Sequence, residues 1–452
     1  MEVDLIVRNG TIVTSTHESK NAIAIKDGKV LAIDSEENLP AAKATIDAHG
    51  NYILPGIIDA HVHFRDPGMT YKEDYQSASL AAAFGGVTLA VDMPNNVPPT
   101  DNAAHLLEKT ELIRDKSYID IALFGLIAPE NMDRIAELAE AGVAGYKVYM
   151  GESFGGLKNL EDGQLIQAFE EVVLTGRRIA FHAETNSLLR HYAEKVMKTG
   201  RTDPMAFLES RPIICEVDSI QKIALYSKYT GAKVHILHVS SKDGAEAIRD
   251  WKAAGVDITS ETCPHYMFLP SDQYMDSCKS LLRVNPPVRS IEHGEYLYQA
   301  LADGEIDFLT TDHAPHSVEE KITEDIWKAN SGLLGVETSA QILLSEGVNK
   351  RDMPLKRFVE ITSEMPAKTW GLWPKKGSLQ VGADADITIV DVNKDWKIES
   401  DSLHSKHKVT AWQSWEGKGK PVTTIVRGHP IVVDEVFVAK DHVGRFTPRL
   451  KQ

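Results

Sequence analysis

The middle of the chain repeats one pattern eight times: a short apolar run of strand length is followed by a stretch with helical character. The runs, in order, are IIDAHVHF, GVTLAVDMP, IDIALFGLI, AGYKVYM, RRIAFHA, KVHILHVS, VDITSETCPHY and IDFLTTDHAPH. Several of the helical stretches end in glycine, the residue preferred just beyond a helix. Eight strand-then-helix units predict an α/β chain folded as a (β/α)8 barrel.

An open, doubly wound parallel sheet is the alternative arrangement of such units. Its dinucleotide-binding form carries G-x-G-x-x-G after the first strand, and the first run here is not followed by that sequence. We therefore predict a barrel over residues 53–373.

Both ends of the chain have a different character. Residues 1–52 and 374–452 contain short β-rich runs broken by Asn-Gly, Asp-Gly and other glycine turns. The simplest interpretation is that the two ends pair into one small β domain beside the barrel.

Composition limits the classes of function. The chain has 452 residues, 42% of them hydrophobic, enough for one large barrel and a smaller partner domain. The net charge of −16 disfavours nucleic-acid binding, which needs a basic face. Three cysteines without a C-x-x-C spacing fit a reducing compartment. With no signal-peptide pattern and no membrane-length apolar run, the sequence predicts a cytoplasmic protein.

Polar residues fall at the ends of several of the apolar runs. His61 and His63 are spaced so that both side chains point to one face of a strand. His182, His238 and Asp312 end three later runs. Active sites of such barrels lie at the carboxyl ends of the strands, so these residues predict a metal site suited to Zn, Mn or Fe. Asp312 is also a candidate general base for water activated by a metal.

Lys147 lies inside the apolar run AGYKVYM. A lysine there is costly unless it is paired or modified, although a lysine at a strand edge can extend its amine to solvent. The spacing leaves both interpretations open.

Two segments, PGIIDAHVHFRDPG and TTDHAPHSVEEK, resemble signatures of the amidohydrolase superfamily. Over the whole chain the sequence is similar to the cyclic amidohydrolases, namely dihydroorotase, allantoinase, hydantoinase and dihydropyrimidinase. The resemblance implies ring opening of a cyclic amide by two zinc ions bridged by N6-carboxylysine at Lys147. It implies one ion on His61, His63 and Asp312 and the other on His182 and His238. It also implies a composite β-sandwich from the chain ends and a homo-oligomer, dimer or tetramer.

Four further residues resemble the substrate-binding residues of dihydroorotases. They are Arg65 in HVHFR, Asn95 in DMPNN, His316 in DHAPH and Asn285 in VNPPVR. The carboxylate of dihydroorotate needs a cation, and the planar fork of arginine suits it. We therefore predict a dihydroorotase acting on dihydroorotate or N-carbamoyl-aspartate.

Other segments favour an allantoinase or a hydantoinase/dihydropyrimidinase that acts on a five- or six-membered ureide ring. SETCPHY and WPKKGSLQVGADADI resemble those enzymes, and a hydantoin with an acidic side chain would also suit Arg65. A non-catalytic scaffold of the same fold is a more remote alternative, against which the full set of expected ligands argues.

Two neighbours of the ligands have predicted supporting roles. Glu184 follows His182 by two residues, shares its face, and is a candidate for orienting that ring. His235 faces away from His238 along the same run and is predicted to be structural.

Overall fold

A computed structural model describes residues 2–151 and 158–450 of the chain. Residues 152–157, within the predicted barrel range, and the extreme ends of the two predicted β segments lie outside the described residues. The strands are β1 Val3–Arg8, β2 Thr11–Val13, β3 Glu18–Ser19, β4 Ala22–Lys26, β5 Lys29–Asp34, β6 Ala42–Asp47, β7 Tyr52–Pro55, β8 Ile57–Val62, β9 Val87–Asp92, β10 Asp120–Leu126, β11 Gly145–Tyr149, β12 Arg178–His182, β13 Lys233–Ile236, β14 Ile258–Thr262, β15 Phe308–Leu309, β16 Ile387–Lys397, β17 Glu416–Val426, β18 His429–Val433 and β19 Val436–Phe437.

Helices follow the barrel strands and fill the segment before the last strands. They are α1 Tyr75–Phe84, α2 Ala103–Lys116, α3 Ile135–Ala141, α4 Asp162–Val173, α5 Asn186–Met197, α6 Pro204–Glu209, α7 Ile214–Thr230, α8 Lys242–Ala253, α9 Pro264–Phe268, α10 Ser271–Cys278, α11 Ile291–Asp303, α12 Val318–Lys321, α13 Ser339–Leu343, α14 Leu355–Val359 and α15 Met365–Thr369. No helix in the described ranges is both long and apolar enough to cross a membrane.

Strands β8 to β15 form one parallel sheet in sequential order. Val62, at the end of β8, makes a parallel bridge to His313, just beyond β15, and so brings the first and last strands together. These strands coincide one for one with the eight predicted apolar runs. The predicted (β/α)8 barrel is therefore confirmed, with the carboxyl ends of all eight strands at one mouth.

The chain ends form a separate β domain of two sheets. One sheet has the order β5-β4-β1-β6, and the other has the order β19-β18-β17-β16-β7-β2-β3. In the second sheet β7 pairs antiparallel with β16, with Ile53 opposite Ile389, so the two ends share one sheet as predicted. The strand Tyr52–Pro55 spans the predicted boundary between residues 52 and 53.

Trp370 is fully buried and packs beside the start of β11, at the end of the barrel opposite the mouth. Its ring contacts Phe124 of β10 edge-on at 4.6 Å between centroids. At Gly145, the first residue of β11, a Cβ would lie 2.7 Å from the Trp370 ring, so the indole occupies the space beside that strand. Packing at this end leaves the opposite end available for polar chemistry.

A buried charge cluster joins the barrel to the β domain. The Nζ of Lys376 lies 2.5 Å from Asp120 at the start of β10, 2.7 Å from Asp386 and 3.0 Å from Asp384. The Nε of Arg427 on the β domain lies 3.0 Å from the same Asp120 carboxylate. Because Lys376 occupies the space among the three carboxylates, we interpret the cluster as an ion-pair network rather than a cation site.

Replacement of Lys376 by methionine should destabilise the protein strongly. The change leaves three buried carboxylates with less compensation, and breaking a buried ion pair costs about 3–5 kcal/mol. The measurement is the midpoint of urea unfolding. Lys418→Met is the control, because Lys418 is half exposed and lies 3.8 Å from an exposed Asp395. Equal midpoints for the two variants would contradict the structural role of the cluster.

Candidate active site

All the residues predicted for the site line one cavity of about 270 Å³ at the mouth of the barrel. The cavity is near the lower end of the range for small-molecule sites, about 300–1,000 Å³. The predicted residues among its lining are His61, His63, Arg65, Asn95, Lys147, His182, His238, Asn285, Asp312 and His316.

The first group of candidate ligand atoms comes from the end of β8, where His63 directly follows the strand, and from the segment just beyond β15. The Oδ1 of Asp312 lies 3.1 Å from Nε2 of His61 and 3.2 Å from Nε2 of His63. The three side chains offer ligand atoms within 4.8 Å of one another. Alternation along the strand places both imidazoles on the same face, as the H-x-H spacing predicts.

The second group comes from the next part of the barrel wall. His182 is the last residue of β12, and His238 lies two residues beyond β13. Nδ1 of His182 and Nε2 of His238 are 3.0 Å apart. The rings of His238 and His61 are 5.2 Å apart between centroids, so the two groups are neighbours.

In three of the four histidines, one ring nitrogen lies within hydrogen-bond distance of an acceptor. Nδ1 of His61 lies 2.6 Å from Glu261, and Nδ1 of His63 lies 2.8 Å from the Asn95 side-chain oxygen. Nε2 of His182 lies 2.9 Å from Glu184, where the spacing predicted it. A proton on each of these nitrogens leaves the other nitrogen of the ring to act as a metal ligand.

The sequence interpretation did not identify Glu261, which is fully buried in β14. Its second oxygen lies 3.1 Å from Nε2 of His235, and Nδ1 of His235 lies 2.8 Å from the Thr259 hydroxyl. His235 therefore has partners for both nitrogens, consistent with the structural role predicted for it. A glutamate within the SETCPHY run was the available signal, since a buried carboxylate must have a partner.

Burial sets the protonation state of the imidazoles. Desolvation lowers the pKa of His61 to about 3 and that of His63 to about 4. It also lowers the pKa of His182, and that of His238 falls well below its ordinary value. The rings are neutral at neutral pH, which is the form that binds a metal.

Asp312 stays ionised although it is buried. Burial alone would raise its pKa, but His61, His63 and His238 outweigh that effect and hold the pKa well below the ordinary value. The site therefore offers a carboxylate beside neutral imidazoles.

Lys147 lies in the middle of β11 and is fully buried, so it does not extend to solvent. Its Nζ lies 4.6 Å from the centre of the Tyr149 ring. Burial lowers the pKa of Lys147 to about 7, against the opposing effect of Asp312 and Glu261. The charge of this amine acts on His61 and His182, one member of each ligand group.

Three of the predicted residues have a left-handed backbone. The φ angles are 63° at Arg65, 41° at His238 and 47° at Asp312. Non-glycine residues adopt this region rarely, and such strain concentrates at functional sites where the surrounding structure imposes it. At each position the chain turns sharply just beyond a barrel strand and presents a side chain to the cavity.

The donor set fits divalent metal ions. Imidazole nitrogens and a carboxylate are the ligands preferred by zinc and similar ions. Nε2 of His61 is buried, and although Asp312 lies 3.1 Å away, it makes no hydrogen bond of normal geometry within the described chain, as expected of an atom that takes a ligand from outside the protein.

The predicted substrate-binding residues are themselves held by protein groups. Nε of Arg65 donates to the Pro315 carbonyl at 3.3 Å. His316 donates through Nε2 to the Ser331 carbonyl at 3.0 Å, and its Nδ1 lies 3.1 Å from the Lys72 amine. These contacts give the side chains structural roles in addition to the predicted ones.

Asn285 links two parts of the cavity wall. The amide orientation that satisfies both atoms lets Nδ2 donate to the Ser331 hydroxyl at 3.2 Å while the oxygen accepts from Nη2 of Arg211 at 3.3 Å. Arg211 and Arg283 also line the cavity, and the sequence interpretation did not identify either. Both lie outside the strand ends, at which the active sites of such barrels form.

Comparison with known proteins agrees with the geometry of the site. The model of the amidohydrolase family matches residues 52–431. An L-hydantoinase from Paenarthrobacter aurescens is 36% identical, covering 99% of this chain and 98% of that protein. An allantoinase from Bacillus licheniformis is 34% identical, covering 99% of this chain and 100% of that protein. The solved structure of L-hydantoinase (dihydropyrimidinase) from Arthrobacter aurescens has a TM-score of 0.96 at 35% identity, covering 99% of this chain and 100% of that one.

Replacement of Glu261 by glutamine should weaken metal binding. The amide can present an N–H to Nδ1 of His61, and disturbing such a partner lowers metal affinity by about 10–100-fold. Competition with a chelator measures the affinity directly. The matched control is Glu73→Gln, because Glu73 is also fully buried but contacts Ser77 and the Lys406 backbone instead of a ligand. Wild-type affinity in a folded Glu261→Gln variant would contradict the orienting role.

Proposed function

Because the chain belongs to the amidohydrolase family, in its cyclic amidohydrolase group, we propose that it hydrolyses the ring C–N bond of a cyclic ureide of the hydantoin or allantoin class. One observation carries the proposal: four neutral imidazoles and one carboxylate from four strand ends converge in a cavity of small-molecule size. The mouth of a (β/α)8 barrel is where enzymes of this fold perform chemistry.

The sequence interpretation favoured dihydroorotase, and the comparisons favour its alternative. The relatives that match this chain over nearly its whole length are named L-hydantoinase and allantoinase. The dihydroorotase prediction depended on Arg65, Asn95 and His316. Since the contacts of these residues with protein groups are independent of any substrate carboxylate, their presence does not single out dihydroorotate.

The donor set supports two metal ions, which we propose to be zinc. One would be held by His61, His63 and Asp312 and the other by His182 and His238. Lys147, buried near both groups, would bridge them as N6-carboxylysine, because a carbamate supplies the anionic oxygens that an amine lacks. Ions at such a site activate water and polarise a carbonyl group.

Asp312 is placed to move the proton of the reaction. Its Oδ1 faces His61 and His63, so we assign proton transfer to Oδ2. The oxygen of water bonds to the ring carbonyl carbon, and Oδ2 takes the proton. The C–N bond then breaks and the proton passes from Oδ2 to the departing ring nitrogen, which is general acid–base catalysis.

The substrate class is tested by comparing hydantoin, allantoin and dihydroorotate under the same conditions. We expect hydantoin or allantoin to be opened faster than dihydroorotate. Loss of turnover on chelation and its return with zinc is the control for a metal-independent contaminant. Faster hydrolysis of dihydroorotate than of hydantoin and allantoin would contradict the proposal and identify the protein as a dihydroorotase.

The role of Lys147 is tested by replacing it with alanine. The variant should retain fewer metal ions and lose most of its activity, because the bridging carbamate cannot form. A short carboxylic acid such as acetate should restore part of both, since it can occupy the vacated space and supply the missing anionic oxygens. Metal content and turnover are measured with and without the acid. A variant that keeps both metals and full activity would exclude the bridge.

A further inference from the structure

We propose that Arg211 and Arg283 form a subsite for a carboxylate at the end of the ring substituent. The substrate is then a hydantoin-class ring with an acidic substituent, unlike dihydroorotate, whose carboxylate is attached to the ring itself. The inference rests on the proposed function, because it concerns the substituent of the ring that the site opens. It assigns a substrate class through residues that do not belong to the ligand set or to the predicted substrate binders.

The two guanidinium groups lie near the same aromatic ring. The Cζ of Arg283 lies 4.8 Å from the centre of the Phe207 ring, and the Cζ of Arg211 lies 5.7 Å from the same centre. Both side chains line the catalytic cavity and also a second cavity of about 270 Å³. The pair therefore forms part of the wall that the two cavities share.

Both groups are held in place by the protein. Arg211 donates through Nη1 to the fully buried Glu184, which also contacts the ligand His182. Arg283 donates through Nη1 to the carbonyl of Ile326. A guanidinium held in this way loses little conformational freedom on binding, which favours affinity.

The charges around the cavity are unbalanced. Among the described lining residues Arg65, Arg211 and Arg283 carry guanidinium groups, and Asp312 is the one acidic side chain. Glu184 compensates Arg211, whereas Nε of Arg283 is buried with no acceptor in the described part of the chain. Burial and the repulsion of Arg211 lower the pKa of Arg283 to about 10. An anion bound beside the pair would reduce that repulsion and accept charge-assisted hydrogen bonds.

Other substituents fit the described lining less well. Its aliphatic side chains are small, Val284, Ala314 and Ala329, and Tyr149 is its one aromatic ring, so a large aromatic group would find little apolar surface. A ureido group offers a carbonyl acceptor but also N–H donors, and arginine has donors only. A carboxylate offers acceptors only and is therefore the group that the pair complements.

The ranking of substrates by the wild-type protein is the first test. We compare kcat/KM for hydantoin, hydantoin-5-acetate, allantoin and 5-benzylhydantoin. We expect hydantoin-5-acetate to exceed the other three. A higher value for allantoin or 5-benzylhydantoin would overturn the inference in favour of a ureido or an aromatic substituent.

The variant Arg283→Gln is the second test. The ratio of kcat/KM for hydantoin-5-acetate to that for hydantoin should fall by about ten- to one-hundredfold, the loss expected for one charge-assisted contact. The matched control is Arg177→Gln, because Arg177 is half-buried and donates to the Val143 and Ala139 carbonyls but does not line the cavity. A folded Arg283→Gln protein with the wild-type ratio would remove Arg283 from the subsite.

The two proposals fail in different ways. If wild-type protein opens hydantoin but does not prefer hydantoin-5-acetate, the carboxylate subsite is wrong and the proposed function stands. If the zinc-loaded protein opens none of the four rings, the proposed function itself is wrong. The wild-type ranking decides the inference even where the arginine variant fails to fold.

Discussion

The site depends on the hydrogen bond between Glu261 and His61. A buried imidazole presents one nitrogen to a metal only when an acceptor holds the proton on the other nitrogen. Glu261, Asn95 and Glu184 meet that requirement for three histidines. Each acceptor lies in or just beyond a barrel strand, so the pairing of the parallel strands sets the chemistry as well as the fold.

The barrel and the convergence of the candidate ligands could be predicted because both follow from a short-range pattern. Strands buried on both faces appear in the sequence as apolar runs. Polar residues at the carboxyl ends of these runs must converge at one mouth of the barrel. His61, His63, His182, His238 and Asp312 needed no further information. Lys147 could not be assigned in this way, because a lysine in an apolar strand can be paired, modified or extended to solvent. Only the family resemblance proposed a carbamate at this position.

The rest of the site depends on contacts between segments that are distant in sequence. Glu261 lies 200 residues from His61, and only the closed barrel brings them together. Arg211 and Arg283 lie outside the strand ends and carry no motif. Arg65, Asn95 and His316 favoured dihydroorotase, whereas the comparisons favour its alternative, because a motif does not record whether a residue contacts the substrate or supports the site.

Reaction and specificity are therefore encoded at different places in this fold. A hydantoinase and an allantoinase are 36% and 34% identical to this chain over nearly its whole length, so the shared strand-end framework does not by itself choose a ring. The choice must come from the segments that line the cavity between strands. Here those segments contribute Arg211 and Arg283, which pack on one aromatic ring, and small apolar side chains. Since the proposed metal site would act on the ring amide of each ureide alike, the charge of the wall beside it is what can distinguish their substituents.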